Sequence, residues 1–367
     1  MLPTSPPKQI PIYDALLAPK RLEALNNCDR NLLPYEPRSF LLVFRIRGRN
    51  FAMIALPLLL LLIWDVFWGI FLITYEDPLT ISDDIQAMQS LITPILTPVS
   101  FLLVFRLGRA AVRYWDARAA LGKLVEVCRT TASTALVGLR PIHGRKISVE
   151  RQQLADDFVR WIAVLPLAVK NFLRPWEGLQ CIRANELGDV LSKADQLEFL
   201  ATKGTLYGPI LVLNRLRQLS FQAADLTSTT DSSDPSQIAL GGVLLRQLNE
   251  QIDTLTGAWG AMERINGTPL PFVYVVHLRT FLLLYLFLWH MEAIASNGWI
   301  ALLPLQLASW GLLGIEAAAV ECERPFQWHG NHLALGKAGV VVAHNLAQTY
   351  QNLGWARVGI PPTEHCA

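Results

Sequence analysis

Ser100-Phe-Leu-Leu-Val-Phe-Arg106 runs without a turn signal into Arg109, Arg113-Tyr114-Trp115-Asp116-Ala117-Arg118 and Gly122. An uncharged apolar helix passes here into an arginine-studded one. A chain does this where a helix leaves a bilayer and continues into water beside headgroups or other anions. The composition points the same way. Of 367 residues, 52% are hydrophobic and 17% charged, against roughly 25% charged in a soluble domain. The mean hydropathy is +0.31. The stretch therefore predicts an integral membrane protein with a conduction or binding role.

A helix needs about 20 apolar residues to cross the roughly 30 Å hydrocarbon core. Four stretches qualify: 51–75, 87–105, 271–291 and 293–315. Asp65 is the only charge in the first, and the second and fourth have none. The third carries His277 and Arg279 in its first half. The fold class read from this is all-α, with four transmembrane helices and a helical cytoplasmic region. Orientation follows the Lys and Arg of the loops. The link 76–84 holds Glu76, Asp77, Asp83 and Asp84 with no Lys or Arg, whereas 1–50 carries Lys20, Arg21, Arg30, Arg38, Arg45, Arg47 and Arg49. Both termini (1–50 and 316–367) and the long region 106–270 then share the cytoplasmic side.

Within 106–270, Phe158, Trp161, Ile162 and Leu165 recur at helical spacing, as do Leu245, Leu248, Ile252 and Leu255. The second stripe reads as helix–helix packing. Residues 227–236, rich in Thr, Ser and Asp, read as a loop. No basic stripe with interleaved aromatics supports nucleic-acid binding. Cys28, Cys128, Cys181, Cys322 and Cys366 have no metal spacing and read as reduced thiols. No nucleotide loop, Ser/His/Asp set or metal cluster is visible, so no enzyme, cofactor or metal is expected. His329 and His332 are two ligands, too few for a zinc site. The polar start does not read as a cleavable signal peptide. The expected location is a bacterial inner membrane, with a chloroplast thylakoid or envelope as the alternative.

The second apolar stretch carries the candidate site. Thr97, Phe101 and Phe105 lie at i, i+4 and i+8 and share one helix face. Pro94 and Pro98 remove two backbone donors, which a membrane tolerates only where protein or water satisfies the freed groups. The face is read either as packing against a neighbouring helix or as the lining of a pore. Rings of Phe and Thr contributed by several subunits make an apolar constriction that gates by dewetting. The edge of a benzene ring is the positive part of its quadrupole, so inward edges favour an anion over a cation. Arg106, Arg109 and Arg113 are basic residues for the pore mouth or for headgroup contact, or ion-pair partners of Asp116 or Glu126.

Phe105-Arg106, Arg113-Tyr114-Trp115-Asp116-Ala117-Arg118 and Gly122 resemble the second-helix signature of bestrophins, including bacterial and plant bestrophin-like proteins. Glu263-Arg264-Ile265 and Thr268-Pro269-Leu270-Pro271-Phe272 resemble the entry to that family's third span. Glu321 and Glu323-Arg324-Pro325-Phe326 resemble the acidic segment after its fourth. The resemblance covers about residues 37–353. It implies a homopentamer around a central pore, with lipid and small inorganic anions as the other partners. Chloride is the expected ion, with bicarbonate or nitrate as further candidates. The neck falls on Thr97, Phe101 and Phe105, and a second, cytoplasmic aperture falls on Val243. Some bacterial members pass monovalent cations, so that alternative stands beside the anion channel, as does a non-conducting scaffold. Where animal members carry an acidic calcium site, this chain has Gln327-Trp328-His329-Gly330-Asn331-His332, with no carboxylate. Calcium wants several carboxylate or carbonyl oxygens, so no calcium activation is expected there.

Overall fold

The computed structural model describes residues 11–30, 32, 51–74, 84–85, 87–141, 147–174, 184–201, 207–228 and 235–355. Among them the chain is helical with short turns, and no strand occurs. Most of the acidic link 76–84, the arginines between 38 and 49, Cys181, Cys366 and the core of the breaker at 229–234 lie outside the described residues. Two compact units emerge. One joins Leu32–Ala117 to Ile265–Leu333, and the other joins Met1–Asn31, Arg118–Arg264 and Ala334–Ala367.

In chain order the helices are α1 (Ile12–Leu16), α2 (Pro19–Asn27), α3 (Phe51–Thr74), α4 (Gln89–Ile92), α5 (Leu96–Gly138), α6 (Val149–Leu173) and α7 (Ala184–Leu187). They continue as α8 (Lys193–Ala201), α9 (Tyr207–Ser228), α10 (Pro235–Gly267), α11 (Phe272–Asn297), α12 (Leu302–Glu323) and α13 (Leu335–Asn352). Short 3-10 turns at Thr93–Ile95 and Gly298–Ala301 lead into α5 and α12. Three stretches are long and apolar enough to cross a bilayer: Ala52–Thr74, Gln89–Gly138 and Phe272–Glu323. The third is two helices, α11 and α12, joined by the second 3-10 turn.

The apolar unit is built from α3, α11, α12 and the first half of α5. Ile54, Leu61, Val99, Leu103, Leu278, Leu282, Leu286 and Leu313 form its core. The surface of α3 is as apolar as its core: Leu59, Ile63, Phe67 and Ile70 are all exposed. A helix that is hydrophobic all round belongs in a core or in lipid, and here the outward side chains are exposed among the described residues. The break between α11 and α12 falls at Gly298, later than the link near residue 292 that hydropathy suggests. Gly298 adopts φ +61° and ψ −151°, a conformation open essentially to glycine alone.

The second unit is centred on α6. Ser148 caps it by accepting the Arg151 backbone N–H, and Glu150 lies in its first turn, both favourable at a helix N-terminus. Phe158, Val159, Ile162 and Leu165 are buried along it, as the helical spacing predicts. Lys170, near its end, donates to Glu186 at 2.8 Å, with both side chains buried. The α10 stripe is also a packing stripe, since Leu248, Ile252 and Leu255 are fully buried.

Candidate functional site

The prolines set the start of α5. Pro94 sits at the head of the 3-10 turn Thr93–Ile95, and Pro98 falls in the first turn of α5. Leu96 donates its backbone N–H to the Thr93 carbonyl, so the 3-10 turn runs directly into α5, and Pro98 withholds one donor just past that junction. Both prolines thus fall where the 3-10 turn passes into α5, within the continuous stretch Gln89–Gly138.

From that entry α5 presents two unlike faces. Val99, Leu103, Arg106 and Ala110 are buried. Thr97, Phe101 and Phe105 are exposed, the two phenyl groups at 63% and 57%. Their ring centroids are 5.9 Å apart at an interplanar angle of 34°. The structure therefore brings the three predicted residues together on one face, and among the described residues that face is left exposed.

Arg106 is turned the other way. It is fully buried, and its guanidinium meets Glu316 at 3.2 Å and Glu323 at 2.6 Å. Glu316 also takes Arg279 at 2.9 Å. Glu323 accepts the Leu270 backbone N–H at 3.0 Å. Arg113 is half-buried and donates to the backbone carbonyls of Glu323, at 2.9 Å, and Ile265. The partners of Arg106 are thus α12 carboxylates, not Asp116 or Glu126. A side chain one residue on from Phe105 is rotated by about 100° around a helix, and this carries Arg106 from the exposed face into the bundle. Arg109 is exposed. These ion pairs join the start of α11 to the end of α12 and hold α5 in one rotation, with the Phe face outward.

Val243, the aperture candidate, belongs to the other unit. It is 52% exposed on α10. Two residues before it α10 passes close to α9: a Cβ on Gly241 would sit 2.7 Å from the Ala224 carbonyl oxygen.

One constellation escaped sequence reasoning. Asp65 on α3, His290 on α11 and Ser309 on α12 are fully buried and hydrogen-bonded in series. They are separated by 225 and 19 positions, so spacing carries no signal for them. Only the presence of a lone acid within an apolar span hinted at a partner.

Comparison with known proteins gives the site a context. Residues 32–348 match the family model described as Bacterial/Fungal Bestrophin protein. A voltage-dependent anion channel-forming protein of Nostoc sp. is 28% identical over 237 residues, covering 65% of this chain and 69% of that protein. A protein of the same description from Synechocystis sp. is 24% identical over 271 residues, covering 74% and 80%. Among solved structures, a bacterial bestrophin homologue from Klebsiella pneumoniae superposes with a TM-score of 0.65 at 18% identity, covering 81% of this chain and 98% of that one.

Proposed function

This chain belongs to the bacterial/fungal bestrophin family, and from that premise we propose that it forms an anion channel in which Thr97, Phe101 and Phe105 line a central neck. The observation that carries the reading is the two-faced α5, with an uncovered Phe face opposite a buried, ion-paired one. In this reading four helices per subunit cross the membrane and five copies surround the pore. Ring edges directed inward favour a partly dehydrated anion, and the apolar ring gates by dewetting. Arg109, exposed one turn below Phe105, raises the local anion concentration. Val243 forms a second constriction. Relatives named as anion channel-forming proteins support the sign of the ion, and their bacterial origin supports a bacterial inner membrane. Chloride is the expected ion, with bicarbonate and nitrate as further permeants. Without a carboxylate in Gln327–His332, calcium does not activate the channel through that segment.

The test is a planar bilayer under a potassium chloride gradient. A reversal potential near the chloride equilibrium value is expected, and one near the potassium value would transfer the chain to the cation-passing members. Phe101→Ala with Phe105→Ala should widen the neck and increase flux with the oligomer intact. Unchanged flux with a dissociated oligomer would make these residues interface packing instead. Val243→Ala should change relative permeability among anions, and no change would remove the aperture role.

A further inference from the structure

We propose that Asp65, His290, Ser309 and Gln306 form a proton-binding site inside the helix bundle, in which the carboxylate and the imidazole share one proton. The Asp65 Oδ1 lies 2.8 Å from His290 Nδ1, and Asp65 Oδ2 accepts from Gln306 Nε2 at 3.0 Å. His290 Nε2 is 2.6 Å from Ser309 Oγ. Asp65, His290 and Ser309 are all 0% exposed, and they tie α3, α11 and α12 together in the apolar unit.

The charge balance carries the argument. A lone carboxylate in an apolar interior is very costly unless it is neutralised. No Lys or Arg side chain bonds this cluster among the described residues. The elements packed on it offer no other counter-charge. Asp65 is the only ionisable group of α3, and α4 and the 3-10 turn Gly298–Ala301 have none. On α11, Arg279 is bound to Glu316, and Glu292 accepts from Ser296. His277 and Tyr285 face Phe281 and Trp289 respectively. On α12, Glu316 and Glu323 are paired with Arg106, and Glu321 faces Asn331. Cys322, part-exposed near the end of α12, carries no positive charge. Among the described residues His290 is therefore the one group placed to neutralise Asp65, and one proton between them leaves the pair neutral.

The remaining partners suit such a site. A serine hydroxyl both donates and accepts. Ser309 therefore keeps its bond to Nε2 whether that nitrogen carries a hydrogen or not. Gln306 donates to the carboxylate oxygen that His290 leaves free. Gain of a second proton, or loss of the first, puts a net charge into the bundle at the point where three helices meet.

The test is the apparent thermal unfolding midpoint of the detergent-solubilised protein across about pH 4.5 to 8, for wild type, Asp65→Asn and His290→Gln. In the unfolded chain Asp titrates near about 3.9 and His near about 6.5. Stability rises with pH wherever the unfolded state binds more protons, and falls where it binds fewer. For wild type, the site's contribution is flat up to about pH 6.5 and declines above it. Asp65→Asn leaves a buried neutral imidazole, so its contribution climbs with pH up to about 6.5 and then levels. His290→Gln leaves a buried carboxylic acid, so its contribution falls with pH throughout. Relative to wild type, the two variants thus differ in opposite senses below about pH 6.5. Three parallel curves would overturn the proposal. Should neither variant fold, 15N-histidine NMR of the wild type decides. A His290 ring that keeps one protonation state across the range supports the site, and one that titrates within it sinks the proposal.

Discussion

At the scale of single residues, Arg106 shows how a charge reads differently in sequence and in space. It follows Phe105 directly, and adjacency suggested a pore-mouth cation. Helix rotation instead sends it inward to two carboxylates that lie 210 and 217 positions away, a distance over which local patterning carries no information. Removing one partner of a buried pair leaves the other charge uncompensated, at about 3–5 kcal/mol. Arg106→Met leaves Glu323 without its guanidinium while Glu316 keeps Arg279, so it should lose about 3 kcal/mol, the lower end of that range, with lower yield of folded protein on size-exclusion chromatography. Arg109→Ala, at an exposed position, should stay within about 0.5 kcal/mol. Equal losses from both would contradict the assignment. Lys170 supplies a pH-dependent case outside the apolar helices. Burial by itself lowers its ammonium, but Glu186 and then the Cys28 thiol outweigh it, and it sits above its usual 10.5. A raised folded value means the stabilisation is complete below the ordinary value and is lost as pH climbs through the folded one. Melting midpoints should thus decline above about pH 10.4 in wild type. Lys170→Met should lack that alkaline decline and start lower at neutral pH, because Glu186 is left buried without its cation. A variant as stable as wild type at neutral pH would refute this.

At the scale of elements, apolar runs were legible because a helix in lipid must be apolar on every side, and α3 announces itself that way. The Phe face was legible as well, since period alone places Thr97, Phe101 and Phe105 together. The turn between α11 and α12 was harder. Hydropathy barely changes across it, so the break is marked only by chain geometry: Gly298 in a positive-φ conformation and Pro304 in the first turn of α12. Glycine past a helix end and proline just inside the next start are the readable punctuation. Nothing lies within 4 Å of a Cβ built on Gly298, so a substitution there tests backbone conformation alone. Gly298→Ala should cost on the order of 1–3 kcal/mol. Gly311→Ala, also with nothing near its Cβ but inside a helix, should be neutral or stabilising by up to about 1 kcal/mol. Thermal unfolding of both in the same detergent checks the contrast. A harmless Gly298→Ala would mean that the turn has other routes open to it.

At the scale of the whole molecule, what one copy leaves uncovered says what the assembly must cover. The outward side of α3, with Leu59, Ile63, Phe67 and Ile70 exposed and no charge among them, suits lipid. The α5 face is different, because the aromatic pair Phe101 and Phe105 continues into exposed Arg109, and a guanidinium prefers water to hydrocarbon. One continuous strip that is apolar above and charged below fits a water-containing passage better than a lipid contact. A passage needs walls on all sides, and a single α5 supplies one. Copies related by a closed rotation supply the rest, since identical faces then meet around the axis. For the five copies of the proposed channel, native mass spectrometry in mild detergent should give five times the 41.0 kDa chain mass. Another closed number would keep a pore and change its width, which the flux of the Phe101→Ala, Phe105→Ala variant would register. A monomer that nevertheless conducts would leave the Phe face to lipid and place the pathway elsewhere in the chain.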